Sequence, residues 1–345
     1  MAFPKVVILD VGHGNSVVVH DTKGNLVFDA GGQNTLTEYL LQAAMKEIYA
    51  LFISHCDKDH LGGAINLLAA RQLRVRHVYL NPDPLKTGSV FGLFRRTLAD
   101  ARTRRGTRVH VGLSTDQPAN FSRGEARIEI LAPTPEIAVS GVGGTDLSGR
   151  TLSGNRMSAV IRLVVSGKPI LLLPGDLDHV GLENLEATGT QMSSRVLVFP
   201  HHGGRPGGGN AGEFAKKLTR LVSPELVVFS NGRGKHNNPN PVIVDGVRQA
   251  APSAVVACTQ LSEVCAKDIP NPLPHPVSSY YSAGHGRGYS CAGSIELRCN
   301  PSAELFPLVR DHGAFVTKNA PTALCRLPLP DVRGQARTAT PRKRT

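Results

Sequence analysis

The feature that most constrains this 345-residue chain is a short polar segment placed between an apolar strand and a helix. Residues 50–53 form an apolar run that predicts a buried strand, and the pattern over residues 61–70 predicts a helix. The segment between them, Ser54-His55-Cys56-Asp57-Lys58-Asp59-His60, carries two imidazoles and two carboxylates within six residues. Because these side chains are common metal ligands, the segment predicts a metal site at the end of a strand.

The spacing within this segment indicates more than one metal ion. Alternate side chains of an extended segment point the same way, so His55, Asp57 and Asp59 are expected to converge while His60 turns to a neighbouring position. One ion rarely needs four ligands from a single loop, whereas two adjacent ions that share a carboxylate would use them all. The alternative is a solvated polar turn in which both acids pair with Lys58.

Other predicted strands also end in Asp or His before a turn. Asp10, Asp29 and Asp176 follow apolar runs in this way, and so do His201 and His202. Polar side chains at strand ends are typical of a site built on the rim of a packed sheet sandwich. Together with the helical segments, they predict an α/β sandwich.

Five segments in order resemble the metallo-β-lactamase superfamily. Residues 54–63, Ser-His-x-Asp-x-Asp-His-x-Gly-Gly, are similar to the His-x-His-x-Asp-His signature of that fold. The Asp at the third position resembles the C-terminal hydrolase domain of the ComEC/Rec2 DNA-uptake proteins and their free-standing relatives. The other similar segments are Leu9–Asn15, Phe28–Gly32, Leu172–Asp176 and Phe199–Gly204. The resemblance covers roughly residues 6 to 260 and implies an αββα sandwich that binds two divalent metal ions, Zn²⁺ or Mn²⁺.

The resemblance also implies how the ligands divide between the two ions. One ion would be held by His55, Asp57 and His201, the other by Asp59 and His60, and Asp176 would bridge them. The second ion needs one more ligand.

Two questions about the ligands stay open in the sequence. The last ligand of the second ion is either His236, two places early for the family pattern, or Asn238, the positional match. His202 either replaces His201 as a ligand or acts beside it as a proton donor. We assign catalytic roles to Asp59 and His202.

Further residues are expected around the metals. The resemblance places Asp10 near the site, and Asp29 is expected to orient a ligand histidine by a hydrogen bond. His13 is either a substrate contact or a turn residue, standing with Asn15 where the family pattern has Gln and Asp. Asn155 matches a polar position near the site and is a candidate substrate contact.

We divide the chain into residues 1–257, the hydrolase domain, 258–312, a small Cys-bearing C-terminal appendage, and 313–345, a basic disordered tail. The six cysteines are expected to be thiols or metal ligands. Alternation points Cys56 away from the metals. A structural zinc site is an alternative to buried thiols in the appendage, and its candidate ligands are Cys258, Cys265, Cys291 and one of Cys299, His285 or His275.

The net charge of the chain indicates which class of substrate or partner it could bind. A formal net charge of +12 favours an anionic substrate, although a basic surface also simply keeps a protein in solution. The arginines of a predicted helix over 90–105 form one basic patch that could follow a phosphate backbone: Arg95, Arg96, Arg102, Arg104 and Arg105. The basic tail could bind a protein partner.

The favoured function is therefore a metal-dependent phosphodiesterase or nuclease acting on nucleic acid or another anionic phosphodiester. The alternatives are a hydrolase of the same fold for a small ester, thioester or lactam, with the loop 140–154 closing its pocket, and a catalytically silent nucleic-acid-binding module. No apolar run reaches the ~18–20 residues that span a bilayer, and the N-terminus lacks a signal-peptide pattern. We therefore expect a cytoplasmic protein without membrane insertion.

Overall fold

The computed structural model describes residues 3–117, 122–269, 281–300, 304–307 and 309–326. Within these ranges the strands are β1 Lys5–Ile8, β2 Val17–His20, β3 Asn25–Phe28, β4 Glu47–Ile53, β5 Arg74–Leu80, β6 Arg108–Val111, β7 Ala126–Ala132, β8 Val160–Val165, β9 Lys168–Leu173, β10 Val196–Val198, β11 Leu226–Phe229, β12 Val255–Cys258 and β13 Ile295–Arg298. The α-helices are α1 Thr35–Gln42, α2 Lys58–Ala69, α3 Ser89–Arg105, α4 Pro135–Ser140, α5 His179–Ala187, α6 Ala211–Val222, α7 Pro241–Ala250 and α8 Val309–Asn319. Short 3-10 turns occupy Pro200–Gly203 and His285–Arg287.

Two mixed sheets pack face to face. The first has the order β13-β1-β2-β3-β4-β5-β6, and the second has the order β12-β11-β10-β9-β8-β7. Strands β3 to β6 run parallel in the first sheet, and β9 to β12 run parallel in the second. One apolar core lies between the sheets, and two more lie under the helices on the outer faces. The architecture is the expected αββα sandwich.

Strand β4 shows why the segment 54–60 is held so firmly. Ala50 and Phe52 point into the core between the sheets, while Ile48, Leu51 and Ile53 point into the core under the helices. A strand buried on both faces reads as a continuous apolar run, as this one does. Its end is therefore fixed in the first sheet.

The parallel strands bring the polar strand ends to one edge of the sandwich. The carboxyl ends of β3 and β4 deliver Asp29 and the segment 54–60, and those of β9 and β10 deliver Asp176 and the histidines at 201 and 202. Strand β1 runs in the same direction as β3, since both are antiparallel to β2, and so carries Asp10 to that edge.

The C-terminal part of the chain is less separate than predicted. Strand β13, inside the predicted appendage, pairs antiparallel with β1 and extends the first sheet. Helix α8 crosses the predicted boundary at 312, and Phe315 and Val316 are buried in the core of the second sheet's outer face. Residues 313–326 are thus ordered by an apolar helix face rather than belonging to a tail. The rest of the predicted tail, 327–345, lies outside the described residues.

Candidate metal centre

Four residues from three parts of the chain bring their ligand atoms together at this edge. Asp59, His60, Asp176 and His202 each offer one ligand atom, and these atoms all lie within 4.8 Å of one another. We call these four residues the compact set. His60, Asp176 and His202 are buried, and Asp59 is half-buried.

The remaining predicted ligands, His55, Asp57 and His201, form a second group that we call the loose set. His55 Nε2 lies 3.8 Å from Asp57 Oδ2, and the His55 ring lies 4.2 Å from the His60 ring. Asp57 also forms an ion pair with Lys86. Lys86 was not predicted, although it follows β5, the strand next to β4, at the same edge of the sheet.

Asp176 stands between the two sets. Its Oδ1 lies 3.2 Å from His60 Nε2 and 3.9 Å from His202 Nε2, both in the compact set. Its Oδ2 lies 3.5 Å from Nδ1 of His201, in the loose set. Each carboxylate oxygen thus faces a different group of histidines, which is the arrangement that a bridging carboxylate requires.

The two histidines at 201 and 202 lie in different surroundings. His202 Nε2 lies 3.3 Å from Asp59 Oδ2, so His202 belongs to the compact set, whereas His201 does not. Both histidines have left-handed backbone conformations, with φ of 53° and 54°, which cost non-glycine residues about 1–2 kcal/mol each. Two such residues in succession present both rings to Asp176.

The predicted alternatives for the last ligand of the second ion lie elsewhere. His236 is exposed, lies outside the compact set, and places its ring 4.8 Å from the His13 ring. Asn238 is buried, and its Nδ2 donates to the carbonyl oxygen of His201 at 3.2 Å. Asn238 therefore positions the histidine loop.

A network behind the compact set fixes its geometry. Asp29 Oδ2 lies 2.7 Å from His60 Nδ1, and Asp29 Oδ1 accepts from the Ser54 backbone N–H at 2.7 Å. Asp29 thus orients the His60 ring and leaves His60 Nε2 directed at Asp176. Such partners fix the tautomer and the ring orientation of metal-binding histidines.

Gly31 lets the chain close tightly around Asp59. A β-carbon at Gly31 would lie 2.3 Å from the Asp59 carbonyl oxygen. The same carbonyl accepts from the backbone N–H of Asn15 at 3.1 Å. A larger residue at position 31 would displace the turn that carries Asp59.

The nitrogens of these histidines supply a test of whether a metal fits. Within the described residues, several buried imidazole nitrogens make no hydrogen bond: Nε2 of His55, His60 and His201, and both ring nitrogens of His202. Buried polar atoms without partners are rare and need an explanation. A donor set of imidazoles and carboxylates aimed at one another suits divalent cations, so the residues fit the implied metals.

The electrostatics agree with this conclusion. Burial by itself raises the pKa values of Asp59 and Asp176, but the neighbouring imidazoles of His60 and His202 outweigh burial and lower both pKa values. Burial opposes protonation of His60, yet Asp176 and Asp29 raise its pKa well above the usual range. Burial lowers the pKa of His55 to about 4. The carboxylates are thus ionised and attract positive charge, which a proton on His60 supplies here and a bound cation would supply in its place; His55 is neutral, as a ligand must be.

The other predicted residues take different positions. His13 lies at the metal edge, with Nε2 3.5 Å from Asp59 Oδ2 and its ring 4.4 Å from the His202 ring. Asp10 is fully buried, accepts hydrogen bonds from Gln260 and Ser282, and so organises the neighbouring loops rather than facing the metals. Asn155 follows Gly154, where a β-carbon would lie 4.0 Å from Asp57 Oδ1.

The buried cysteines divide among three apolar cores. Cys56 is buried in the core under α1, α2 and α3, where its Sγ donates to the Asn81 carbonyl, so it points away from the metal centre. Cys299 lies in the core between the sheets, whereas Cys258, Cys265 and Cys291 lie on the outer face of the second sheet. The predicted zinc ligand Cys299 is therefore wrongly grouped with the other three. His285 lies in the exposed 3-10 turn, and His275 lies outside the described residues.

The C-terminal end of the predicted basic patch on α3 lies away from the metal centre. Helix α3 starts near the metal edge and runs back along the sheet, so its last turn lies ~24 Å away along the helix axis. Arg105 there donates to the carbonyl oxygens of Ala69 and Leu73, and Arg104 pairs with Asp100. These two arginines hold the end of α2 and the surface of α3.

Comparison with known proteins now identifies the fold family. The family model for the metallo-beta-lactamase superfamily matches residues 9–210, more than half of the chain. The chain belongs to the metallo-β-lactamase superfamily. The structure of this superfamily member contains, among the described residues, no helix long and apolar enough to cross a membrane.

Individual relatives are distant. Competence protein ComA of Neisseria gonorrhoeae is 27% identical over 249 residues, which is 70% of this chain and 29% of that protein. The chain therefore spans under a third of that relative's length. Among solved structures, the metallo-beta-lactamase fold protein YhfI of Bacillus subtilis has a TM-score of 0.47 at 12% identity, covering 73% of this chain and 95% of its own. Igni18, a metallo hydrolase from Ignicoccus hospitalis, has a TM-score of 0.42 at 17% identity, covering 73% and 94%.

Proposed function

We propose that this metal-dependent hydrolase is a phosphodiesterase whose favoured substrate is nucleic acid. The observation that carries the proposal is a cleft of about 760 Å³ that opens beside Asp59. Lys58, Lys235 and Arg287 line it, are exposed, and form no ion pair within the described part of the chain. Unpaired cations beside a metal centre favour a substrate with more than one negative charge.

A second cleft, of about 400 Å³, contains the metal centre itself. It shares His13, Asp59 and His236 with the larger cleft, and Arg205 adds a further exposed cation to its wall. A chain of phosphates bound along the larger cleft would therefore pass directly into the metal centre. The resemblance to the hydrolase domain of DNA-uptake proteins supports the same substrate class.

Different residues of the metal centre would bind metal, donate a proton and contact the substrate during hydrolysis. A pair of bound divalent ions would lower the pKa of a water molecule and polarise a phosphoryl oxygen. The compact and loose sets would hold these ions, with Asp176 between them. His236, exposed where the two clefts join, is positioned to give a proton to the departing oxygen. Burial lowers the pKa of His13 to about 4, so His13 is neutral and acts as a hydrogen-bonding contact.

A small ester, thioester or lactam is the competing substrate class. The loop 140–154 is held by Asp146, which accepts from the backbone N–H groups of Ser148 and Arg150 and forms an ion pair with Arg150. It ends beside the loose set at Gly154. This loop could border a small pocket, but it contributes no residue to either of the two clefts described above.

Cleavage assays on the full chain test the proposal. Single- and double-stranded DNA, RNA and bis-p-nitrophenyl phosphate are offered with Mn²⁺ or Zn²⁺, beside a chromogenic lactam and a thioester. We expect metal-dependent cleavage of phosphodiesters that Asp59→Ala abolishes and that the exposed Asp116→Ala leaves intact. Turnover of the lactam or thioester alone would overturn the proposal. Binding of nucleic acid without any turnover would favour the silent binding module.

A charge-matched comparison tests the route of the substrate. The triple variant Lys58→Gln/Lys235→Gln/Arg287→Gln and the α3 variant Arg95→Gln/Arg96→Gln/Arg102→Gln each remove three positive charges. We expect the cleft variant to reduce the slope of log K against log salt by about 2–3, since each phosphate contact contributes roughly 0.7–0.9. The α3 variant should leave the slope nearly unchanged. The reverse result would indicate that the nucleic acid binds along α3 instead of along the cleft.

A further inference from the structure

The larger cleft beside Asp59 has a part of its wall that the proposed hydrolysis does not use. Besides the cations, Glu38, Tyr281 and Tyr289 line this cleft, and all three are half-buried. A carboxylate repels phosphate, so Glu38 does not serve a substrate that is only a chain of phosphates. These three residues favour a substrate that also carries an aromatic, hydrogen-bonding group.

Helix α1 fixes Glu38 at the cleft. Glu38 lies in the first turn of this helix, and the Leu36, Tyr39 and Leu40 side chains of the helix are buried in the core of the first sheet's outer face. The Glu38 backbone N–H donates to the Asn34 carbonyl at 2.9 Å. Packing of the apolar face of α1 therefore leaves Glu38 on the side that lines the cleft.

The Glu38 carboxylate is only partly satisfied by the protein. The Tyr281 hydroxyl is hydrogen-bonded to it, which raises the pKa of Tyr281. Its Oε2 is buried and accepts no hydrogen bond from the described residues, and among them Glu38 forms no ion pair. Buried acceptor atoms without partners are rare. Glu38 is therefore free to accept from N–H groups of a ligand.

The two tyrosines are held in place by their backbones. The Tyr281 carbonyl accepts from Ser294 Oγ at 2.6 Å, and the Tyr289 carbonyl accepts from the Leu261 N–H at 2.7 Å. The Arg233 guanidinium, which donates to the Leu261 carbonyl, lies 5.9 Å from the centre of the Tyr289 ring. Aromatic rings fixed along a cationic groove are the usual platform on which nucleobases stack.

The hydrogen-bonding groups of the bases decide which base suits Glu38. Guanine presents N1–H and an N2 amino group side by side, and this pair of donors fits the two oxygens of one carboxylate. Adenine and cytosine present one amino group beside an acceptor nitrogen. Thymine and uracil present one N–H between two carbonyls, which a carboxylate repels. In a duplex this edge of guanine is already paired, so only an unpaired guanine could reach Glu38.

We propose that Glu38, Tyr281 and Tyr289 form a guanine-binding subsite, with the unpaired base against the tyrosine rings and its N1–H and N2 amino groups donating to Glu38. This inference rests on the proposed phosphodiesterase function, because the phosphate joined to the guanosine would extend towards Asp59 in the same cleft. The subsite takes no part in bond breaking. It makes Glu38 a specificity-determining residue.

Single-stranded oligothymidylates with one guanine, hypoxanthine or adenine at the same position test the subsite. Hypoxanthine differs from guanine only in lacking the N2 amino group. We expect wild-type kcat/KM to be about 10–100-fold higher for the guanine substrate than for the hypoxanthine substrate, the usual effect of losing a hydrogen bond to a charged group. Adenine should be no better than hypoxanthine.

Variants of the full chain assign this preference to residues. Glu38→Gln should bring the ratio of guanine to hypoxanthine kcat/KM close to one while the metal content stays unchanged. Glu136→Gln, at an exposed glutamate of α4 that lines neither cleft, is the matched control and should keep the ratio. Tyr289→Leu should weaken binding of both substrates by about tenfold or more through lost stacking, and Tyr289→Phe should restore it.

Equilibrium binding of the same oligonucleotides to Asp59→Asn separates this proposal from the proposed function. Cleavage of phosphodiesters with equal kcat/KM for guanine and hypoxanthine would overturn the subsite and leave the function standing. Preferred binding of the guanine oligonucleotide without cleavage by the wild-type chain would support the subsite and overturn the function. A guanine preference that survives Glu38→Gln would also overturn the subsite. If Glu38→Gln fails to fold, the wild-type ratio still decides the question.

Discussion

The compact and loose sets share Asp176 but differ in how completely the protein prepares them for a metal. The compact set has its four ligand atoms within 4.8 Å of one another and a buried carboxylate behind His60. In the loose set His55 Nε2 lies 3.8 Å from Asp57 Oδ2, and Lys86 competes for the Asp57 carboxylate. From this difference we expect one tight metal site and one weaker site, although both draw on the same short segment.

The largest effect is expected where the two sets meet. Asp176→Asn removes the carboxylate that faces both groups of histidines, so both metals should be lost. Loss of metal assistance removes several kcal/mol of transition-state stabilisation, so activity should fall by at least ~10³-fold. Metal content by mass spectrometry and initial rates check this. Retention of one ion at full occupancy would show that Asp176 is not shared.

A matched pair of substitutions separates the two sets. Asp59→Asn and Asp57→Asn make the same chemical change two residues apart on one segment. We expect Asp59→Asn to remove the tighter metal and lower activity by ~10²–10³-fold, whereas Asp57→Asn should remove the weaker metal with a loss of about tenfold that added metal partly restores. Metal titration of both variants measures this. Equal effects of the two substitutions would contradict the division into a tight and a weak site.

Loss of the hydrogen bond between Asp29 and His60 should lower metal affinity less than loss of a metal ligand does. Asp29→Asn leaves every ligand in place but weakens the hold on His60. A loss of about 10–100-fold in metal affinity is typical for such partners. Metal-affinity titration checks this, and thermal unfolding of the metal-free variant shows whether the fold itself has changed. An unchanged affinity would mean that packing alone orients His60.

The smallest expected effect is an increase in affinity for the second metal. Lys86→Met removes the cation that competes for Asp57, and an exposed ion pair is worth up to ~1 kcal/mol, so affinity for the second metal should rise by up to about fivefold. Lys46→Met, an exposed lysine at the opposite edge of β4, is the control. A weaker second metal in Lys86→Met would indicate that Lys86 holds Asp57 in its binding position.

Much of this site could be predicted because its residues follow apolar strands. His55, Asp57, Asp59 and His60 are close in sequence, and Asp29 and Asp176 each end a strand whose apolar run is plain. The fold follows from the same strands, since their carboxyl ends must meet at one edge of the sandwich. These parts of the structure depend on local pattern and on the parallel strand order.

Other features depend on conformations and contacts that local pattern does not reveal. The position of His202 beside Asp59 and Asp176 depends on two successive left-handed residues at positions 201 and 202. Lys86 reaches Asp57 from a loop whose position is set by β5. Helix α8 was missed because its apolar face is short, with Phe315 and Val316 as its buried hydrophobic side chains. Cys299 was grouped with the other cysteines because spacing cannot show on which side of a strand a thiol points.

The central claim is that two ions share Asp176 and that His202, not His236, completes the tighter site. Anomalous diffraction from a crystal grown with Mn²⁺ or Zn²⁺ tests it most directly. We predict two anomalous peaks about 3.5–4 Å apart, the stronger one bonded to Asp59, His60, Asp176 and His202. A peak bonded to His236 in place of His202, or the absence of any peak beside Asp59, would contradict the claim.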